Sequence, residues 1–355
     1  MKVLIDINHP AHVHFFRNPI RLMIDQGHEV MVTSRDKEMA IDLLEDLGIP
    51  NRKLSSLGGG GLLSLGKELV LRNLALFKVV REFRPDAMAA IGGTSIAQVG
   101  FLTRVPSLVF YDTENAKLQN AITYPFSSCV LVPRCYETWL PRKRYVRYAG
   151  YHELSYLHAD YFEPDLEIAK ANGLAADRDN YFIRVVSWQA NHDVGENGWT
   201  PALLAGLIAK LGQSGNVIIS SERDLPDEFA PCIYKGEVSD VHHVLGCSRL
   251  FIGESATMAS ECAVMGVPAI YAAETGRGYT TEQEQRYGLV KNVVSIEEAS
   301  IIGAVDEMLA IDDHVLQDRH SQLLDETIDV AKFVADSIVD FPEVLHQYRR
   351  RKEAA

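Results

Sequence analysis

The sequence predicts an α/β protein of two domains, each a doubly wound parallel sheet wrapped by helices. Three observations predict it. The chain has 355 residues, which suits two domains of ordinary size. Short apolar runs alternate with segments that suit helices, first over one half and then over the other. A Tyr- and His-rich connection over 150–178 separates the two series.

The first series reads in order as KVLIDI (2–7), HEVMVTS (28–34), DAMAAIG (86–92), SLVFYD (107–112) and CVLVP (129–133). Such short, nearly continuous apolar runs mark strands buried on both faces. Residues 36–47 and 64–83 suit helices between them. The second series is YFIRVVSW (181–188), NVIISSE (216–222), RLFIG (249–253) and VPAIYA (267–272), followed by a helical region over 296–350 that runs into Arg349, Arg350, Arg351 and Lys352. The expected boundaries are 1–150 for the first domain, 151–335 for the second and 336–355 for a helix packing back on the first. There is no solenoid-length repeat and no low-complexity tract.

The net charge of −13 is uneven: residues 1–150 hold 19 Lys/Arg against 14 Asp/Glu (+5), and residues 151–355 hold 16 against 34 (−18). Different duties for the halves or ordinary surface variation both fit. The total argues against a nucleic-acid partner, which leaves a basic footprint. No stretch of about 18 apolar residues is present, so no membrane span is expected. MKVLIDI reads as a strand and not as a signal peptide. Five cysteines without C-x-x-C spacing fit free thiols in a reducing, cytoplasmic setting.

Candidate chemistry gathers at expected strand ends, where ligands of doubly wound sheets bind. DINHPAHVHFF (6–16) places His9, His12 and His14 after the first strand. Histidine is the usual general base near neutral pH. A metal site competes, but H-x-x-H-x-H has no standard zinc spacing, and His14 beside Phe15 and Phe16 suits packing. Gly92 and Gly93 end another strand and admit close backbone approach. Asp112 and Glu114 end the next; they suit orienting a histidine, touching an acceptor, or capping a helix, Asp112 above all.

In the second half, RLFIGESATMASECAVMGVPAI (249–270) ends a strand at Gly253 and starts a helix at Ser255. First-turn N–H groups and the helix dipole make such a start a phosphate site. Glu261 lies about 9 Å further along the axis at about 1.5 Å per residue, a spacing that suits ribose hydroxyls. Simple capping by Ser255 with a solvated Glu261 fits equally. Gly61-Leu62-Leu63-Ser64-Leu65-Gly66-Lys67-Glu68 almost spells a P-loop, but Glu68 stands where Ser or Thr would hold magnesium, so the match is chance. Leu62, Leu63 and Leu65 with Lys67 and Arg72 suit core packing or brushing contact with a membrane surface.

HPAHVHFF, DTENAKLQN, VVSWQANHD and GESATMASE followed by GVPAIY resemble the DUF354 family over nearly the whole chain. More distantly, the chain resembles the peptidoglycan GlcNAc transferase and the non-hydrolysing UDP-GlcNAc 2-epimerases. The transferase's GGHV loop falls on Pro10-Ala11-His12-Val13, its GG-x-S-x-P-A-x-x-A region on Gly92 to Gly100, and its H-E-Q-N element on Asp112-Thr113-Glu114-Asn115. Its ribose-binding glutamate falls on Glu261, and its glutamines fall near Gln283 and Gln285. Ser187-Trp188-Gln189-Ala190 replaces its second glycine-rich loop, a departure at the diphosphate contacts.

The resemblance implies the GT-B fold: two Rossmann-like doubly wound domains facing across a cleft, with the C-terminal helix crossing back. It implies a metal-independent, inverting glycosyltransferase that moves a sugar from a nucleoside-diphosphate sugar, UDP-sugar favoured, to a hydroxyl acceptor in cell-envelope or polysaccharide synthesis. The nucleotide sugar is a co-substrate and no cofactor is expected. His12 becomes the catalytic base, with Asp112 and Glu114 beside it. Ser187, Trp188, Glu254, Ser255, Ala256, Thr257, Glu261 and Arg277 become the nucleotide-sugar contacts, though Arg277 also suits a solvated loop. The partners implied are the nucleotide sugar, a glycan or lipid-linked acceptor, and at most peripheral membrane contact. A UDP-GlcNAc 2-epimerase-like activity and a non-catalytic nucleotide-sugar-binding protein are the alternatives.

Overall fold

The structure, a computed structural model, describes residues 1–36, 38–56, 62–114, 116–187 and 198–347. Trp188, Asn115, the 58–61 glycine run and the 349–352 basic run lie outside the described residues. The chain divides into two compact units, residues 1–156 with 328–355, and residues 157–327.

The first unit holds a seven-stranded sheet of β1 (Lys2–Ile7), β2 (Glu29–Asp36), β3 (Asn51–Ser56), β4 (Ala87–Ile91), β5 (Ser107–Phe110), β6 (Cys129–Pro133) and β7 (Tyr145–Tyr148), in the order β3-β2-β1-β4-β5-β6-β7. The second holds a five-stranded sheet of β8 (Asp179–Val185), β9 (Gly215–Ser221), β10 (Leu250–Gly253), β11 (Ala269–Ala272) and β12 (Val290–Val293), in the order β12-β11-β10-β8-β9. Every pairing within these sheets is parallel. The central strands are the predicted apolar runs. Their side chains are almost wholly buried, as in Val3, Leu4 and Ile5 of β1 or Leu250, Phe251 and Ile252 of β10.

Three strands escaped sequence reading: NRKLSS, YVRY and VKNV, which are β3, β7 and β12. All three lie at sheet edges. An edge strand is solvated along one side, so its sequence has no need of a continuous apolar run. The region over 296–350, expected as helical throughout, contains separate helices Glu298–Leu309, Asp313–Asp325 and Val330–Val339. Asp312 and Asp329 cap the second and third by accepting from His314 N–H and Lys332 N–H.

The first unit extends to Tyr156, past the expected boundary at 150, because side chains of the first helix hold that segment. Ser155 Oγ donates to Phe15 O at 2.6 Å, Asn18 Nδ2 to Ser155 O at 2.9 Å, and Arg17 to Tyr156 O at 3.0 Å. The chain rejoins this unit at Ile328, earlier than 336. Ile328 N–H donates to Ala149 O, and the helix Val330–Val339 packs on the helix Pro10–Asp25. Among the described residues no helix is long and apolar enough to cross a membrane.

Candidate functional site

In the first unit the loops after β1, β4, β5 and β7 all leave the carboxyl end of one parallel sheet. After β1, Pro10 opens the helix Pro10–Asp25, and His9 caps it by accepting from Ala11 N–H at 3.2 Å. Val13, Phe15, Phe16, Ile20 and Met23 bury one helix face, which fixes the half-buried His12 at the rim. His12 Nδ1 accepts from Asn8 N–H at 3.4 Å. When the ring is neutral, that contact places its proton on Nε2. His14 stacks on Tyr156 with ring centroids 5.4 Å apart.

After β4, Gly92 has φ +58, and its carbonyl accepts from Gln119 Nε2 at 2.6 Å. That positive φ favours glycine, whereas a Cβ would meet only the movable end of Gln119. After β5, Asp112 meets a histidine that sequence reading did not pair with it. Its Oδ2 lies 3.2 Å from Nδ1 of His152, which follows β7 and is buried. Thr113 Oγ1 donates to Asp112 Oδ1 at 2.9 Å. Burial raises the Asp112 carboxyl, but the His152 charge and hydrogen bond, the Thr113 hydroxyl and the His12 charge outweigh it and hold it at about 2. His12 therefore acts on Asp112 through charge, and His152 through both charge and a hydrogen bond. His152 Nε2 is buried with no hydrogen-bond partner among the described residues. Glu114 accepts from Glu137 N–H at 3.0 Å. Neither acid caps the next helix, Lys117–Thr123, whose N-cap is Ala116.

Below this rim, Asp6 of β1 is fully buried. It accepts from Arg72 at 2.6 Å and from Thr33 Oγ1 at 2.8 Å. Arg72 is thus an interior ion-pair partner and no candidate for a membrane surface. A charge inside the apolar run KVLIDI was the available signal, since a buried carboxylate needs a partner.

In the second unit, β10 ends at Gly253, and Ser255 caps the helix Ala256–Val264 by accepting from Met258 N–H at 3.3 Å. Ala256 and Thr257 contribute first-turn N–H groups, which a helix cannot satisfy internally. Glu261 is not solvated. It is buried, and its Oε1 lies 3.0 Å from Nε2 of the equally buried His242, on the helix Val241–Gly246. Glu254 turns inward as well. Its carboxylate accepts from Val186 N–H at 2.9 Å and from Trp199 N–H at 2.8 Å, which bind the end of β8 to the start of the helix Pro201–Leu211. Ser187 N–H and Oγ donate to Glu222 at 3.2 and 3.3 Å. Arg277 precedes the short helix Gly278–Glu282 and donates to Gly276 O at 3.1 Å. Gln283 Nε2 donates to Ser260 Oγ at 2.8 Å, which anchors one of the two expected glutamines in the core. Among the described residues no group of three or more His, Cys, Asp or Glu side chains converges as for a metal ion.

Two parallel-sheet α/β units with candidate groups at their strand ends define a protein of the GT-B fold, and solved structures share it. The UDP-GlcNAc 2-epimerase of Neisseria meningitidis, solved bound to UDP-GlcNAc, is similar at a TM-score of 0.69 and 12% identity, covering 96% of this chain and 100% of that one. The MurG of Acinetobacter baumannii is similar at a TM-score of 0.62 and 14% identity, over 96% of this chain and 100% of that one. The chain belongs to the family described as protein of unknown function (DUF354), whose pattern it matches over residues 1–286. An uncharacterized protein of Methanocaldococcus jannaschii is 22% identical over 283 residues, which is 76% of this chain and 81% of that protein.

Proposed function

We propose that this protein is a glycosyltransferase that uses a nucleoside-diphosphate sugar, with UDP-sugar the favoured donor and a hydroxyl group as acceptor. The observation that carries the reading is the end of β10. A capped helix starts there, and a carboxylate lies six positions in from its cap, held in place by a buried histidine. The diphosphate takes the first-turn N–H groups of Ala256 and Thr257 with the Ser255 side chain nearby. Glu261 faces the ribose, and its bond to His242 keeps the carboxylate in one orientation. Arg277 adds positive charge for the leaving diphosphate. Solved structures of the same fold named as UDP-GlcNAc 2-epimerases, some holding UDP or UDP-GlcNAc, support the ligand class.

In the transfer step, His12 takes the proton of the acceptor hydroxyl, whose oxygen attacks the anomeric carbon in line as the nucleoside diphosphate leaves with inversion. Asp112 favours the imidazolium so formed through its charge. Because Nδ1 of His12 accepts from Asn8, the ring must give up that long contact or shift its proton to act as a base.

A second reading is an epimerase acting on the nucleotide sugar alone. The Asp112–His152 pair favours it, because it adds a carboxylate and a histidine to the acid–base groups on the rim. Calorimetry with UDP and UDP-sugars tests the ligand class; no binding by any of them removes both readings. Incubation with UDP-GlcNAc separates them: conversion without an acceptor supports the epimerase, and sugar transfer that requires an acceptor supports the transferase. Binding without turnover supports a non-catalytic binding protein.

A further inference from the structure

Three helices of the first unit lie side by side: Leu62–Phe83 packs on Thr94–Thr103, and Thr94–Thr103 on Lys117–Thr123. Hydrogen bonds stitch the seams. Asn73 Nδ2 donates to Gln98 Oε1 at 2.7 Å, and Gln98 Nε2 to Ile122 O at 3.1 Å. Each of the three helices exposes large apolar side chains. Leu74 is 57% exposed, Phe101 62%, Leu102 72% and Leu118 68%. Val70, Leu71 and Phe77 extend this surface along the first helix, and Ile122 along the third. Phe101 and Leu102 share the helix face of Gln98, at spacings of three and four. Phe101 meets Phe126 edge-on with centroids 5.5 Å apart, which joins the second helix to the turn after the third.

The charges on these helices that have no ion-pair partner among the described residues carry one sign. Lys67, Leu71, Leu74, Lys78 and Arg81 recur at spacings of three and four, so cations and leucines share one stripe. Arg104 ends the second helix and Lys117 begins the third. None of these five cations forms an ion pair among the described residues, while the acids Glu68 and Glu82 of the first helix pair with Arg35 and Arg52. The other two helices contain no acid.

We propose that this three-helix face docks on an anionic phospholipid surface, with the leucines and phenylalanines entering the interface and the cations meeting lipid headgroups. Interfacial binding draws on both apolar burial and attraction to anionic lipid, and this face offers both. An isologous pairing of two copies would set the unpaired cations against one another, which disfavours a second copy of the chain as the occupant. The inference does not depend on the proposed reaction.

Co-sedimentation of the full chain with phosphatidylcholine vesicles, with and without phosphatidylglycerol, tests it. The wild type should pellet with the anionic vesicles, remain in solution with pure phosphatidylcholine, and detach as salt rises. The double variants Phe101→Ser/Leu102→Ser and Lys78→Glu/Arg104→Glu should each lower the bound fraction by at least about tenfold, with unchanged melting temperature. Wild type that stays in solution with anionic vesicles would overturn the proposal, and so would folded variants that pellet as well as it does. A light-scattering mass for the wild type that is a multiple of the chain, restored to a single chain by Phe101→Ser/Leu102→Ser, would overturn it in favour of self-association.

Discussion

Each unit carries a carboxylate–histidine pair, and the two pairs are built differently. Asp112 and His152 come from loops after β5 and β7, with the Asp112 side chain 23% exposed at the rim. Glu261 and His242 come from two helices, and the glutamate side chain is 8% exposed. The loop pair is open to a changing charge nearby, and His12 supplies one. The helical pair is locked by packing around both partners. A carboxylate that must answer to proton movement belongs at an open rim, and one that must present fixed acceptors belongs on a rigid helix.

The largest effect that tests this contrast is expected at His12. His12→Asn should lower turnover by about 10²–10⁴-fold while UDP-sugar affinity stays nearly the same. Single-turnover rates measured beside calorimetry on the same variant check this; full activity would shift the acid–base role toward His152 or Glu114. Next comes the helical pair. Glu261→Ala should weaken UDP binding by about 1.5–3 kcal/mol. It should also destabilise the fold, because His242 is left buried without its carboxylate. A double-mutant cycle with His242→Ala, read by both calorimetry and thermal melting, measures the coupling. Unchanged UDP affinity in Glu261→Ala would leave the pair a packing element only.

The loop pair has a pH signature that sharpens the comparison. The Asp112 carboxyl lies at about 2 in the folded chain against an ordinary 3.8, so the folded state favours its charged form. That stabilisation is complete above about pH 4 and is lost as the pH falls through about 2. Asp112→Asn should therefore be less stable than wild type near neutral pH, by about 1–3 kcal/mol. The gap should close on acidification through that window. Denaturant melts across the acid range read it, and a gap independent of pH would assign Asp112 a role in packing alone. The smallest change is expected at Arg277. Among the described residues its guanidinium donates only locally, to Gly276 O, so Arg277→Ala should shift stability by less than about 0.5 kcal/mol. A loss of affinity for UDP, with affinity for uridine unchanged, would then report its contact with the diphosphate.

The central strands were legible because burial on both faces demands an unbroken apolar run, which is a property of local sequence. The Ser255 cap was legible for the same kind of reason: a helix terminus states its needs within four residues. His152 was not legible, since no spacing joins it to Asp112 across β6 and β7. The same holds for His242 beside Glu261, and for Glu254, whose carboxylate accepts from residues on either side of the 188–197 segment. Partner choice for a buried carboxylate depends on which strands and helices become neighbours, and parallel crossovers make neighbours of residues far apart in the chain. By itself the sequence determined the alternation, the helix ends and the positions of the ionisable groups. Only the tertiary structure decided which histidine each carboxylate meets, because burial makes an unpaired charge too costly to leave and the fold limits who can reach it.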